Sequence, residues 1–161
     1  MTRIVAGSAK GRTLAVPKSG TRPTSERVRE ALFSRLDHMN VLEGAVVLDL
    51  YAGTGALGLE ALSRGAATAT LVEKASGAAR VATSNVRSIG LNARVVTADA
   101  RAYLAARSGQ VLSGEVDLVF IDPPYDIAEA DMTAVLEGLA PWIGPDALVV
   151  VERSTRAPAP T

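Results

Sequence analysis

The chain has 161 residues, with 17 basic and 17 acidic side chains, one histidine and no cysteine. This length fits one domain with a substantial core, and a composition that is 48% hydrophobic and 21% charged excludes a disordered chain. The lack of cysteine excludes a disulfide framework and a cysteine nucleophile, and a single histidine, His38, leaves little for a zinc site or a Ser-His-Asp triad.

Two absences set the expected location. Apolar stretches such as 147–151 are too short to cross a bilayer, and the first residues lack the long apolar core of a signal peptide. We therefore expect a cytoplasmic protein, and nothing in the sequence indicates a metal site or an obligate dimer.

The basic residues are unevenly distributed. Residues 1–35 contain eight basic and two acidic side chains, so the remainder carries a net negative charge. A basic end on an acidic body favours contact with a polyanion such as RNA, although arginine-rich surfaces also occur without such a partner. The candidate RNA contacts in the first 23 residues are Arg3, Lys10, Arg12 and Lys18.

The first 23 residues are predicted to form a β-hairpin arm and a linker. Two extended segments, Arg3–Ala6 and Arg12–Val16, flank the glycines of Gly7–Gly11, which allow a tight reversal. The remainder, residues 24–161, would then form the core of a single domain.

A helix is predicted to begin near Thr24 or Ser25, because either hydroxyl can cap exposed N–H groups. Helical spacing predicts one apolar face, with Arg27 and Glu30 on the solvated side. That apolar face consists of Val28, Leu32, Leu36 and Met39.

From residue 45 onward, short apolar runs alternate with helical patterns. The predicted strands are Val46–Tyr51, Thr68–Glu73, Arg94–Thr97, Val116–Ile121 and Ala147–Val151, and the predicted helices lie near 56–64, 75–89, 100–108 and 128–140. Nearly continuous Val/Leu runs are typical of strands buried on both faces. The alternation predicts an α/β fold with a doubly wound parallel sheet.

A glycine-rich segment follows the first strand of this sheet and enters a helix. Residues 49–58 read Asp-Leu-Tyr-Ala-Gly-Thr-Gly-Ala-Leu-Gly and have the G-x-G-x-x-G spacing of dinucleotide folds. Gly53 and Gly55 allow positive φ and let the backbone approach a ligand closely. The same pattern also fits a tight turn with close helix–strand packing, so alone it does not specify a ligand.

Acidic residues lie near the ends of three successive predicted strands: Asp49, Glu73 and Asp99, the last of which follows its strand. Each alone could be a solvated carboxylate. Together they would line the crevice in which doubly wound sheets bind ligands, where Glu73 can accept both ribose hydroxyls. This placement favours an adenosine-containing cofactor.

The fourth strand ends in Asp122-Pro-Pro-Tyr125. The two prolines hold the backbone extended, so Asp122 and the Pro123 carbonyl can accept both hydrogens of an exocyclic amino group. Tyr125 offers a face on which a base can stack. The segment therefore favours methylation of an amino group over nicotinamide chemistry, with a rigid proline turn as the alternative reading.

These segments together resemble the bacterial ribosomal RNA small-subunit methyltransferase D family. The resemblance covers residues 3–152 and also includes Arg3-Ile-Val-Ala-Gly, Thr21-Arg-Pro-Thr and Arg27-Val-Arg-Glu-Ala-Leu-Phe. It implies a class I, Rossmann-like methyltransferase fold, S-adenosylmethionine as cofactor, and methylation of a guanine N2 amino group in 16S ribosomal RNA. The family fold normally ends in an antiparallel edge hairpin, which we expect to be missing because no suitable sequence follows Val151.

The resemblance also assigns roles. It implies that Asp122, Pro123 and Tyr125 are catalytic, and that Arg22 and Thr24 contact the carboxylate of the cofactor. The other expected cofactor contacts are Asp49, Ala52, Gly53, Gly55, Glu73, Lys74, Asp99 and Ala100. The expected partner is 16S rRNA, bound by a monomer that needs no metal.

Three other functions stay open at this point. A DNA adenine or protein glutamine methyltransferase would share the Asp-Pro-Pro-Tyr segment, although the basic hairpin favours RNA. An NAD-dependent oxidoreductase would use Gly53–Gly58, and a non-enzymatic RNA-binding module would leave Asp122–Tyr125 unexplained. A methyltransferase should melt at a higher temperature with S-adenosylhomocysteine, and an oxidoreductase should melt at a higher temperature with NADH.

Overall fold

The computed structural model describes residues 2–15, 26–107, 116–123 and 127–151. In these ranges the strands are β1 (Thr2–Arg3), β2 (Thr13–Leu14), β3 (Val46–Asp49), β4 (Thr68–Glu73), β5 (Ala93–Thr97), β6 (Val116–Ile121) and β7 (Ile143–Val151). The helices are α1 (Glu26–His38), α2 (Ala56–Ser63), α3 (Ser76–Ile89), α4 (Ala100–Arg107) and α5 (Glu129–Leu139).

Five strands form one parallel sheet in the order β5-β4-β3-β6-β7. Side chains alternate between its faces, so neighbouring residues such as Leu71 and Val72 belong to different apolar clusters. Helices α1, α2 and α3 contribute to the cluster on one face, and α4 and α5 contribute to the other. The predicted doubly wound α/β fold is confirmed.

The predicted strands of the sheet are all present, and some of them have shifted ends. Thr68–Glu73 and Val116–Ile121 have the predicted bounds, whereas β3 ends at Asp49, two residues before the predicted Tyr51. Strand β7 begins at Ile143 rather than Ala147, because an irregularity between Val116 and Leu118 shifts its register against β6. Such a local insertion has no clear signature in an apolar pattern. The predicted absence of a final hairpin concerns residues beyond Val151, outside the described ranges.

The predicted apolar face of α1 is partly wrong. Val28 and Met39 are 46% and 54% exposed, whereas Arg29 and Phe33 are completely buried. The helix is rotated relative to the prediction because Arg29 is buried by an ion pair with Glu60, its Nε lying 3.3 Å from Oε1. Leu36 is buried as predicted and Arg27 and Glu30 are exposed, while the predicted start at Thr24 or Ser25 lies outside the described residues.

The N-terminal hairpin (residues 2–15) has the predicted antiparallel pairing, with Arg3 opposite Thr13. Its strands are shorter than predicted, and its apolar side chains Ile4, Ala9 and Leu14 are buried in the same cluster as α1 and α2. Arg3, Lys10 and Arg12 are exposed. The hairpin is therefore part of the core on one side and a basic surface on the other.

Polar contacts fix the hairpin to α2. The Glu60 carboxylate accepts the N–H groups of Val5 and Ala6 at 2.8 and 3.1 Å, and it also pairs with Arg29 and Arg64. Gly7 has φ of +89°, and a Cβ there would lie 1.8 Å from the Ser63 carbonyl oxygen. Only glycine permits this close approach.

Across the described ranges, no helix is both long enough and apolar enough to span a membrane.

Candidate active site

The order in which the chain adds strands to the sheet reverses between β3 and β6. The chain proceeds from β3 to β4 and β5 on one side, whereas β6 and β7 lie on the other. The Leu50 N–H donates to the Phe120 carbonyl at 3.0 Å, so the two strands remain paired up to their carboxyl ends. A crevice at this point is where open α/β sheets bind ligands. Asp49 and Asp122 lie on its two sides.

The Asp49 side chain is completely buried, and neither carboxylate oxygen meets a donor at hydrogen-bond geometry within the described residues. Burial raises its pKa to about 8, helped by the negative charges of Asp122 and Glu73 and opposed by the nearby backbone N–H groups of Gly58 and Tyr51. A buried carboxyl without compensation is costly when ionised. This position would favour a cationic ligand group beside it.

The three glycines of the G-x-G-x-x-G segment have different roles. Gly53 has φ of +57°, and apart from its chain neighbours no atom of the described residues lies within 4 Å of the position where its Cβ would be. Gly55 also has positive φ, but a Cβ there would meet Leu71 at 3.0 Å, and at Gly58 it would meet Leu71 at 2.3 Å. The positive φ predicted for Gly53 and Gly55 is present. However, Gly55 and Gly58 allow close packing on β4, whereas at Gly53 none of the described residues beyond its chain neighbours occupies the space where a side chain would be.

Glu73 ends β4 and is fixed by two backbone groups. One carboxylate oxygen accepts the Gly53 N–H at 2.8 Å, and the other accepts the Ala75 N–H at 2.7 Å. Each oxygen keeps a second acceptor site, because a carboxylate has about four lone-pair positions in all. Glu73 thus connects the carboxyl end of β4 to the glycine loop (residues 52–55). Ala52 of that loop is buried, and the neighbouring Lys74 is exposed.

Asp99 follows β5 and begins α4. Its Oδ2 accepts the Ala102 N–H at 3.1 Å, which satisfies one unpaired donor of the helix start. The side chain is exposed, and the adjacent Ala100 is buried. The capping contact explains Asp99 structurally and leaves its other oxygen available to a ligand.

The sequence reasoning missed Tyr51, which lies within the glycine-rich segment. Burial raises its pKa to about 12, with further contributions from the negative charges of Asp99 and Asp131 and an opposing one from Arg101. Arg101 and Asp131 form an ion pair at 2.6 Å. Tyr51 is therefore a neutral, half-buried phenol near Asp99. Its place two residues after β3, within the glycine-rich segment, was the only signal in the sequence.

The predicted catalytic segment is described in part. Strand β6 ends at Ile121, and then Asp122 is half-buried and Pro123 is buried. Tyr125, Lys18, Arg22 and Thr24 lie outside the described residues, so their predicted roles stay predictions. The structure brings Asp49, Gly53, Glu73 and Asp122 to one edge of the sheet. Within the described ranges, no group of three or more His, Asp or Glu residues is arranged to hold a metal ion.

Comparisons with known proteins agree with this architecture. The sequence matches the family described as conserved hypothetical protein 95 over residues 2–161. It is 40% identical to ribosomal RNA small subunit methyltransferase D of Escherichia coli K12 over 99% of this chain and 78% of that protein. It is 35% identical to the protein of the same name from Haemophilus influenzae, over 97% and 80% of the two chains.

Solved structures show the same fold. A hypothetical protein of Thermus thermophilus superposes with a TM-score of 0.86 and 34% identity, covering 99% of this chain and 90% of that one. The predicted Rossmann-like fold and the resemblance found in the sequence are thereby confirmed. The chain belongs to the conserved hypothetical protein 95 family, which is the family of ribosomal RNA small subunit methyltransferase D.

Proposed function

We propose that this protein methylates the N2 amino group of a guanine in 16S ribosomal RNA, with S-adenosylmethionine as the methyl donor. The observation that carries the proposal is the placement of Asp122 and Pro123 directly after β6. The neighbouring strand β3 ends at Asp49 and leads into the glycine loop, so both segments lie at the same edge of the sheet. The names of the relatives support an rRNA substrate. The guanine-N2 target comes from the resemblance alone.

The residues around the glycine loop fit this cofactor. Within the described part of the chain, space for a ligand remains at Gly53 beside Glu73, whose remaining lone pairs suit two ribose hydroxyls. The buried Asp49, whose charge no side chain among the described residues compensates, suits the ammonium of the cofactor's amino-acid end. Asp99 and Ala100 would border the adenine. When bound, the cofactor supplies a methyl group made electrophilic by its sulfonium.

The chain's task at the amino group is positioning. A guanine amino group is a weak nucleophile because its lone pair is conjugated with the ring. Asp122 and the Pro123 carbonyl, which accept its two hydrogens, would help to localise that lone pair and aim it at the methyl carbon. Positioning of this kind supplies most of the rate in a direct displacement. With the cofactor bound, the nitrogen–carbon bond would form as the carbon–sulfur bond breaks, and Asp122 or water would take the surplus proton from nitrogen.

The target base must leave its stack to reach this site. The exposed Arg3, Lys10 and Arg12 of the N-terminal hairpin would contact phosphates of the flanking RNA. Tyr125 would stack on the extruded base.

The test is methylation of small-subunit rRNA from a strain that lacks the modification. The protein, labelled S-adenosylmethionine and this rRNA should give labelled RNA, and mapping should place the label at a guanine N2. Naked rRNA and assembled subunits are assayed in parallel, with duplex DNA and a glutamine-containing peptide as alternative substrates. Label in DNA or peptide but not in rRNA would overturn the proposal, as would stabilisation by NADH and not by S-adenosylhomocysteine.

A further inference from the structure

Asn85 lies within α3 with a side chain only 2% exposed, and it makes three hydrogen bonds to distant backbone. Its Oδ1 accepts the Ala15 N–H at 2.8 Å, and its Nδ2 donates to the Ala15 carbonyl at 3.1 Å. The same Nδ2 donates to the Thr54 carbonyl at 2.9 Å. One side chain therefore joins the end of the N-terminal hairpin to the centre of the glycine loop.

These contacts use most of what the amide can offer. A buried amide is costly unless its donors and acceptor are satisfied, and asparagine is a poor residue for a helix interior. The Asn85 amide pairs with both backbone groups of Ala15, as a neighbouring strand would. Its second amide proton goes to Thr54, between the two glycines of the loop. Packing alone would be served better by an apolar side chain.

The contact at Thr54 bears on the candidate cofactor site. Gly53 precedes Thr54 and donates its N–H to Glu73 at 2.8 Å. A shift of the Thr54 carbonyl would change the backbone geometry of the loop next to Gly53 and disturb that donation. The contacts thus run without interruption from Ala15 through Asn85 and the loop to Glu73.

We propose that Asn85 is a positioning residue for the cofactor loop, and that it makes the loop's geometry depend on the position of Ala15 at the end of the N-terminal hairpin. The inference deepens the proposed function, since it rests on cofactor binding at the glycine loop. A partner that displaces Ala15 then changes cofactor affinity, and the cofactor changes affinity for that partner by the same factor.

Ser63 provides a matched control. It is also buried, and it also holds the hairpin, because its Oγ accepts the Ala9 N–H at 2.9 Å and donates to the Ala6 carbonyl at 2.6 Å. It lies at the last residue of α2 and has no hydrogen bond to the glycine loop among the described contacts. Asn85→Ala and Ser63→Ala both loosen the hairpin, but only the first removes a support of the loop.

The experiment is a calorimetric titration of S-adenosylhomocysteine into the wild type and both variants. Both variants should melt at lower temperature. Asn85→Ala should weaken the affinity at least about fivefold, the effect of losing one buried hydrogen bond, while Ser63→Ala should stay within about twofold. Equal affinities in the wild type and Asn85→Ala, or equal losses in the two variants, would overturn the inference.

Hydrogen exchange on the wild type keeps the proposal testable if Asn85→Ala fails to fold. Saturating S-adenosylhomocysteine should slow exchange of the Ala15 amide, which donates to Asn85, more than that of the Ala9 amide, which donates to Ser63. Equal effects at the two amides would contradict it. Wild-type protein that binds no S-adenosylhomocysteine would instead refute the proposed function, which separates the two failures.

Discussion

Asp49 ends β3 and Asp122 directly follows the adjacent parallel strand β6, and the negative charge of Asp122 adds to burial in raising the pKa of Asp49 to about 8. Without a cation nearby, Asp49 is therefore largely protonated at neutral pH. The two acids lie at the carboxyl ends of β3 and β6, the neighbouring strands between which the strand order reverses. Among the described residues, no side chain compensates the charge of Asp49 when it ionises, so a bound cationic ligand group would.

Asp49 should make the cofactor-free protein less stable as pH rises. Its pKa is about 8 in the fold against 3.8 for an ordinary aspartate, so between these values the folded state binds more protons than the unfolded state. This contribution to stability is fully present below about pH 4 and declines toward pH 8. Urea unfolding across this range should show the decline in the wild type, and Asp49→Asn should remove it. As the control, Asp146→Asn at an exposed position should keep the wild-type slope.

Glu73 should be needed for cofactor affinity and not for folding. Glu73→Ala removes the acceptor of the Gly53 N–H and the proposed partner of the ribose hydroxyls. S-adenosylhomocysteine should bind about 1–3 kcal/mol more weakly by titration calorimetry, the usual effect of leaving buried polar groups unpaired. The exposed Glu137→Ala serves as control. Unchanged affinity in Glu73→Ala would remove this residue from the site.

Asp122 should separate chemistry from binding. In Asp122→Ala, single-turnover methylation of rRNA should slow about 100-fold or more, while S-adenosylhomocysteine affinity stays within a few fold. The same substitution removes one charge that raises the pKa of Asp49. The pH-dependent loss of stability should therefore end at a lower pH. A near-wild-type methylation rate would show that Asp122 does not hold the amino group.

The sequence predicted the parallel sheet, because apolar runs and glycine positions report local backbone requirements directly. Thr68–Glu73 and Val116–Ile121 have the bounds that their apolar residues indicate. The placement of Glu73 and Asp122 at one edge then followed from parallel topology. Such features depend on short stretches of chain.

Contacts between distant residues were not predictable in this way. Asn85 meets Ala15 across 70 residues of sequence, and Arg29 meets Glu60 across 31. A pattern of apolar and polar residues assigns any arginine to the surface. It therefore predicted neither the rotation of α1 nor the ion pair that neutralises the charge of Arg29. The excess positive charge of the first 35 residues is correspondingly smaller at the surface than the count indicates.

Glu60 should be among the most destabilising residues to replace. Its carboxylate is completely buried and accepts from Arg29, Arg64 and the N–H groups of Val5 and Ala6. Glu60→Ala leaves the buried Arg29 without its partner, and such losses cost about 3–5 kcal/mol. Asp37→Ala removes only the exposed partner of Arg64 and should cost about 1 kcal/mol or less. Urea unfolding compares the two, and equal small losses would mean that this network does not anchor the hairpin.

The exposed basic side chains of the N-terminal hairpin should determine how strongly RNA binding depends on salt concentration. Arg3, Lys10 and Arg12 are exposed, whereas the apolar side chains of the hairpin are buried. Replacing these three basic side chains should therefore leave the packing of the core unchanged. Each phosphate contact releases counterions, so RNA affinity should fall steeply with salt. An Arg3/Lys10/Arg12→Ala variant should flatten this dependence by a slope of about one per lost contact, with S-adenosylhomocysteine affinity changed little.

The matched control removes three exposed arginines elsewhere, Arg80, Arg87 and Arg94, and should keep the wild-type slope. Filter binding at several salt concentrations measures all three proteins. Parallel lines of equal affinity for the hairpin variant and the wild type would show that the basic surface does not contact RNA.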